Sequence, residues 1–99
     1  MGRGSSGASS GASRLSTAEK QRITNGIASH TESQNNSAMR YYEERVEREQ
    51  RVIDNYDSYI RIGYIKSKSD PWWLDHEKSL ESLKAQYDFF RKERKRLGR

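Results

Sequence analysis

Lys68-Ser69-Asp70-Pro71-Trp72-Trp73, read in one-letter code as KSDPWW, holds the only proline and both tryptophans of a 99-residue chain. An aspartate before a proline is a strong helix-start signal. The Asp carboxylate accepts hydrogen bonds from the first free amides, and proline at the first helical position has no amide to leave unpaired. A helix is therefore predicted from residue 71. Beyond it, Trp73, His76, Leu80, Leu83, Tyr87, Phe90, Arg94 and Leu97 recur at alternating intervals of 3 and 4 residues. That is a heptad seam, the spacing that keeps one helical stripe facing a partner.

Upstream of the fragment the same spacing runs through Met39, Tyr42, Val46, Glu49, Ile53, Tyr56 and Ile60, with a glutamate at one apolar position. The seam predicts a helix over 37–62, stopped by Gly63 in a left-handed conformation. Ser58 to Ile65 also alternates as a strand would; helix is preferred because it continues the seam. With a turn over 63–70 and a second helix over 71–97, the fold class is all-α: an antiparallel, coiled-coil-like two-helix hairpin. Mirroring the chain about residue 66 or 67 pairs Ile60 with Trp73, Tyr56 with His76, Ile53 with Leu80 and Val46 with Tyr87. Glu49 then falls opposite Leu83 and Lys84.

The N-terminal third is different. Residues 1–14, MGRGSSGASSGASR, consist almost wholly of Gly, Ser, Ala and Arg, a composition that predicts a disordered tail. Residues 15–36 read as a linker. Within it Ser16-Thr17-Ala18-Glu19 fits a capping box and predicts a short additional helix over 17–28, with Ile23 and Ile27 one turn apart. The polar HTESQNNS after it reads as a loop.

Only 31% of the residues are hydrophobic and 33% are charged, so any core is thin. Small cores are commonly supplemented by disulfides, metal or a partner. There is no cysteine, which removes disulfides and cysteine-zinc sites. Val52, Tyr59, Trp72 and Phe89 lie outside the seams and need cover. The linker offers few apolar residues for that, so a homo-oligomer or another protein partner is expected to supply it.

Catalysis finds little to build on. His76 sits on a seam, where a packed, hydrogen-bonded histidine is the simpler reading, and His30 lies among polar residues. Neither has the partner and cleft that a general base requires. No His-x-x-x-His or Glu-x-x-His spacing is present. The Asp54 to Asp57 stretch, DNYD, lacks the glycine and terminal glutamate of a calcium loop. The chain is expected not to be an enzyme and to need no cofactor or metal.

The reading that remains is a non-catalytic interaction or assembly module, such as an adaptor, a structural protein or a subunit of a complex or virion. Its expected partner contacts are Tyr41, Val52, Tyr59, Tyr64, Trp72 and Phe89, since exposed aromatics suit interfaces. The alternative is a nucleic-acid-associated protein that contacts phosphates through the basic C-terminal end and the N-terminal tail. The net charge is +5, and Arg91, Lys92, Arg94, Lys95, Arg96 and Arg99 at the C-terminal end are the candidate phosphate contacts. No spanning helix or secretory signal is visible, which suggests a cytoplasmic, nuclear or virion-associated place. Met1-Gly2 with Ser6 matches a myristoylation pattern, a cheap match in a tail so rich in serine; Asn35-Asn36-Ser37 matches a glycosylation sequon, expected to go unused because no signal peptide is visible.

Overall fold

The structure, a computed structural model, describes residues 15–99. The tail and myristoylation expectations for residues 1–14 lie outside the described residues. Four helices follow in order: α1 (Thr17–Ser29), α2 (Glu32–Asp54), α3 (Tyr56–Arg61) and α4 (Pro71–Leu97). There is no strand among the described residues.

Each boundary has a local cause. Ser16 and Glu19 close the expected capping box of α1, with Ser16 Oγ accepting from the Glu19 amide at 3.1 Å and Glu19 Oε1 from the Ser16 amide at 3.0 Å. The polar HTESQNNS stretch is not a loop. Thr31 and Gln34 form a second capping box, at 3.1 and 2.9 Å, so α2 starts at Glu32 and only a short link separates it from α1. Thr-x-x-Gln is itself a helix-start signature, which the polarity of the segment obscured.

The expected 37–62 helix is interrupted as well. Asn55 Nδ2 donates to the Arg51 carbonyl at 2.8 Å, and the Asn55 backbone sits at φ −95°, ψ 19°. A short amide side chain that bonds the preceding turn competes with the helical ladder, and α3 restarts from Tyr56. Gly63, at φ +78°, ends α3 as expected. Its amide donates to the Ile60 carbonyl at 3.1 Å and the Tyr64 amide to the Tyr59 carbonyl at 3.0 Å. These two bonds make a Schellman motif, closed by the rings of Tyr59 and Tyr64 with centroids 5.9 Å apart. At the quoted fragment, Asp70 Oδ1 accepts from the Trp72 amide at 2.9 Å and Pro71 takes the first helical position.

The longest helix, α4, is the spine. It carries buried Trp73, Leu80, Leu83, Phe90 and Glu93. Helix α2 packs along it antiparallel, with Glu49 meeting His76, Glu43 meeting Tyr87 and Tyr42 meeting Phe90, and Tyr56 at the start of α3 meets Trp73. Ile53 and Leu80 line one recess, as the mirror expects. Near the hinge the register differs: Tyr56 stacks on Trp73 rather than His76, and His76 takes Glu49 instead. The mirror treated 37–62 as one unbroken rod, and the interruption at Asn55 removes that premise.

Helix α1 is part of the core rather than of a linker. It packs on the C-terminal half of α4, and Ile27 is 1% exposed. One well-placed isoleucine and a set of hydrogen bonds fix α1, so its low apolar content did not matter. The two flanking helices touch each other little. The molecule is consequently flat, 47 × 37 × 18 Å, with a radius of gyration of 16.1 Å against about 13 Å for a compact 100-residue domain.

Candidate functional site

Two features stand out on this frame: a polar lock at the end of α4 away from Pro71, here the open end, and an apolar groove beside it.

The lock joins α1, the start of α2 and the end of α4. Glu93 is 8% exposed. It accepts two parallel bonds from Arg96, Nε and Nη2 each at 2.7 Å, and a further one from Thr24 Oγ1 on α1. Arg96 first, then Thr24, holds the Glu93 carboxyl down to about 2. Bonds to the ionised form favour it, and a bidentate guanidinium is the strongest common partner. Asn35, fully buried, donates from Nδ2 to the carbonyls of Ile27 at 3.2 Å and Arg99 at 3.4 Å. Arg99 returns bonds to the carbonyls of Ile27 at 3.2 Å and His30 at 2.7 Å, covering the end of α1. Arg94 donates to Asn36 Oδ1 at 2.9 Å. Asn35 belongs to the sequon, and a glycan on so buried a side chain would require the fold to open.

The groove opens between α1 and α2 over α4, with a volume of about 550 Å³. Ile23 and Ile27 from α1, Ala38 and Tyr42 from α2, and Leu83 and Phe90 from α4 form its apolar lining. Arg22, His30, Tyr41 and Arg45 stand around it, with Ser79, Ser82 and Gln86 along α4. Among the described residues, no carboxylate lines it. Arg45 donates to Tyr41 Oη at 2.7 Å, which fixes both side chains at the edge. Burial raises the Tyr42 hydroxyl above its ordinary value, and the charge of Arg22 opposes the shift.

The six expected partner contacts do not form one surface. Tyr41, 55% exposed, lines the groove. Tyr59, Tyr64 and Trp72 cluster at the hinge, Trp72 lying 5.2 Å from Tyr59 and 4.9 Å from Tyr64 between ring centroids. Phe89 lies beneath Lys20 of α1, 6.0 Å from its ammonium nitrogen. Val52 is half-buried on α2. Cover that was expected from a partner thus comes in part from within: α1 over Phe89, and the hinge rings over Trp72.

The six candidate phosphate contacts divide evenly. Arg94, Arg96 and Arg99 donate within the lock, beside Thr24 and Asn35. Arg91, Lys92 and Lys95 share an exposed face of α4; there Lys92 pairs with Asp88 at 3.0 Å and Arg91 lies 5.5 Å from the Tyr87 ring centroid.

Among the described residues, no group of three His, Asp or Glu side chains is arranged to hold a metal, and no helix is long and apolar enough to cross a membrane. Apart from Tyr41, the groove residues were not anticipated from sequence. The available signal was the Ile23/Ile27 pair, one turn apart behind a capping box. No family model matches the chain, and no curated protein or solved structure is detectably similar to it.

Proposed function

We propose that this chain is a non-catalytic interaction module that works by receiving a protein segment in the groove between α1 and α2. The observation that carries this reading is a groove of about 550 Å³ with an apolar floor, set in a molecule only 18 Å thick. An open apolar channel bounded by helices is the usual receptor for an amphipathic helix. The residues on α4 that face it, from Ser79 to Phe90, span roughly 16 Å, about three helical turns. The polar groups around it are two arginines, a histidine and hydroxyls, with no acid–base pair aimed at one point. That favours binding over chemistry.

Contact with phosphates is the second reading. The exposed face of Arg91, Lys92 and Lys95, together with the net charge of +5, supports it. It is the weaker of the two, because the remaining three basic residues of that end are spent on Glu93, Asn36 and backbone carbonyls.

Site-specific photo-crosslinking tests the first reading. A photoreactive residue at Tyr41, in cells that make the protein, is expected to yield a discrete protein adduct that the same residue at exposed Arg48 does not. Equal labelling from both positions, or none from Tyr41, would remove the groove as the working surface. A DNA or RNA titration tests the second. Binding that weakens steeply with salt and is lost when Arg91, Lys92 and Lys95 are replaced would promote it.

A further inference from the structure

On the side of α4 away from the groove lies a second apolar recess, of about 420 Å³, lined by Ile53, Leu74 and Leu80 with Glu77, Lys78 and Glu81. Leu74, Glu77, Lys78 and Glu81 fall at the i, i+3, i+4, i+7 spacing of one helical stripe. The groove takes Ser79, Ser82, Leu83, Gln86 and Phe90 from the opposite stripe of the same helix. Leu74 is 38% exposed, an apolar side chain standing between acidic neighbours. One molecule therefore carries an apolar channel edged by arginine and, on its far side, a helical stripe whose charged members are Glu77, Glu81 and Lys78, net negative by one.

We infer that the occupant of the groove is the Leu74/Glu77/Glu81 stripe of α4 from a second copy of this chain, which joins copies head to tail. This inference rests on the groove being the interaction surface. Four observations support the second copy as occupant. The stripe has the helical form that the groove accommodates. It offers Leu74 to an apolar floor. Its two carboxylates outnumber its one lysine, Lys78, and match Arg22 and Arg45 in a channel that has no carboxylate among the described residues. The flat shape leaves both sides of α4 open at once. Complementary charge fixes which surface meets which and in what register. Because the two surfaces lie on opposite sides of the molecule, the contact is heterologous and repeats from copy to copy instead of closing as a two-fold dimer.

Sedimentation velocity of the full chain over a concentration series at low salt tests it. Wild type is expected to form dimers and longer species with rising concentration, and to revert toward monomer as salt rises. Arg22→Glu/Arg45→Glu and Glu77→Lys/Glu81→Lys should each weaken association by about tenfold or more. An equimolar mixture of the two should associate again, since the reversed charges restore complementarity between unlike molecules. Circular dichroism checks that each variant is folded. Should a double reversal lose its helices, Ala38→Gln fills the groove without a change of charge and is expected to give the same loss.

A wild type that stays monomeric throughout, or one whose association ignores both reversals and Ala38→Gln, overturns the proposal. The crosslink separates this failure from that of the broader reading. A Tyr41 adduct with the mass of another protein, beside a monomeric wild type, rejects self-assembly and keeps the groove. No Tyr41-specific adduct rejects both.

Discussion

At the hinge end of α4 the helices are held mainly by rings; at the open end a network of hydrogen bonds is added to them. Trp73, 1% exposed, packs against Tyr56 with centroids 4.9 Å apart, while Trp72 is enclosed by Tyr59, Tyr64 and His76. Among the described residues, the one cross-helix hydrogen bond in that neighbourhood joins Glu49 to His76. At the other end one ring pair, Tyr42 with buried Phe90, is joined by a network of Glu93, Asn35, Arg94, Arg96 and Arg99 that closes over Ile27. Apolar packing is not directional and tolerates more than one register. A directional network fixes one arrangement and loses most when a single member is removed.

Substitution of Trp73 is expected to have the largest effect. Trp73→Ala removes the largest buried side chain and should cost about 3–5 kcal/mol, as large-to-small changes of core aromatics do, enough to unfold a domain this small in part or whole. Trp73→Phe should cost much less. It keeps a ring against Tyr56, and it removes an indole N–H that has no partner in its buried position. Urea denaturation measures both. If Trp73→Ala costs under about 1 kcal/mol, the hinge rings are not what holds that end.

Glu93 comes next. Glu93→Ala leaves the Thr24 hydroxyl and the Arg96 guanidinium without their acceptor and should cost about 1–3 kcal/mol. Its pH dependence distinguishes the two ends. A carboxyl held at about 2 in the folded state, against 4.5 ordinarily, binds its proton more readily in the unfolded chain. Its contribution is therefore complete above about pH 4.5 and fades as pH falls toward 2. Between those values Glu93→Gln should show a shallower acid loss of stability than wild type. Parallel acid curves would mean that the network does not stabilise the ionised form.

Two glycines give the smallest effects, of opposite sign. Gly63→Ala places a side chain at φ +78° and should cost about 1 kcal/mol. Gly26 lies within α1 in ordinary helical conformation, and an added Cβ would meet only His30 Cε1, at 3.9 Å. Gly26→Ala should raise stability by about 0.5–1 kcal/mol. It sharpens the comparison further, because Gly26 also lines the groove: the same methyl that steadies α1 narrows the site.

What the sequence made legible follows the same division. The Asp70-Pro71 start, the Gly63 stop, the Ser16/Glu19 capping box and the α4 seam through Trp73, Leu80, Leu83 and Phe90 all rest on local chemistry or on a period. All are present in the structure. The interruption at Asn55 was hidden because a heptad count does not weigh a side chain that bonds its own backbone. The α2 start at Thr31 was hidden because a polar segment looks like a loop even when its capping pair is in place. The lock and the groove were least legible. They bring together Thr24 with Glu93, and Ile27 with Asn35 and Arg99, pairs far apart in sequence whose polar members carry no periodic signal. Composition suggested that α1 had too little to bury; Ile27 and a few hydrogen bonds were sufficient.

Residue-resolved hydrogen exchange of the full chain tests most directly the central claim, that α1 is locked onto α4 by the Glu93 and Asn35 network and so forms one wall of the groove. Amides from Ile23 to Ala28 are expected to exchange slowly, as part of the folded unit. In Glu93→Ala their protection should fall while that around Trp73 to Leu83 persists. Unprotected amides in α1 of the wild type, or a uniform loss along α4 in the variant, would contradict it.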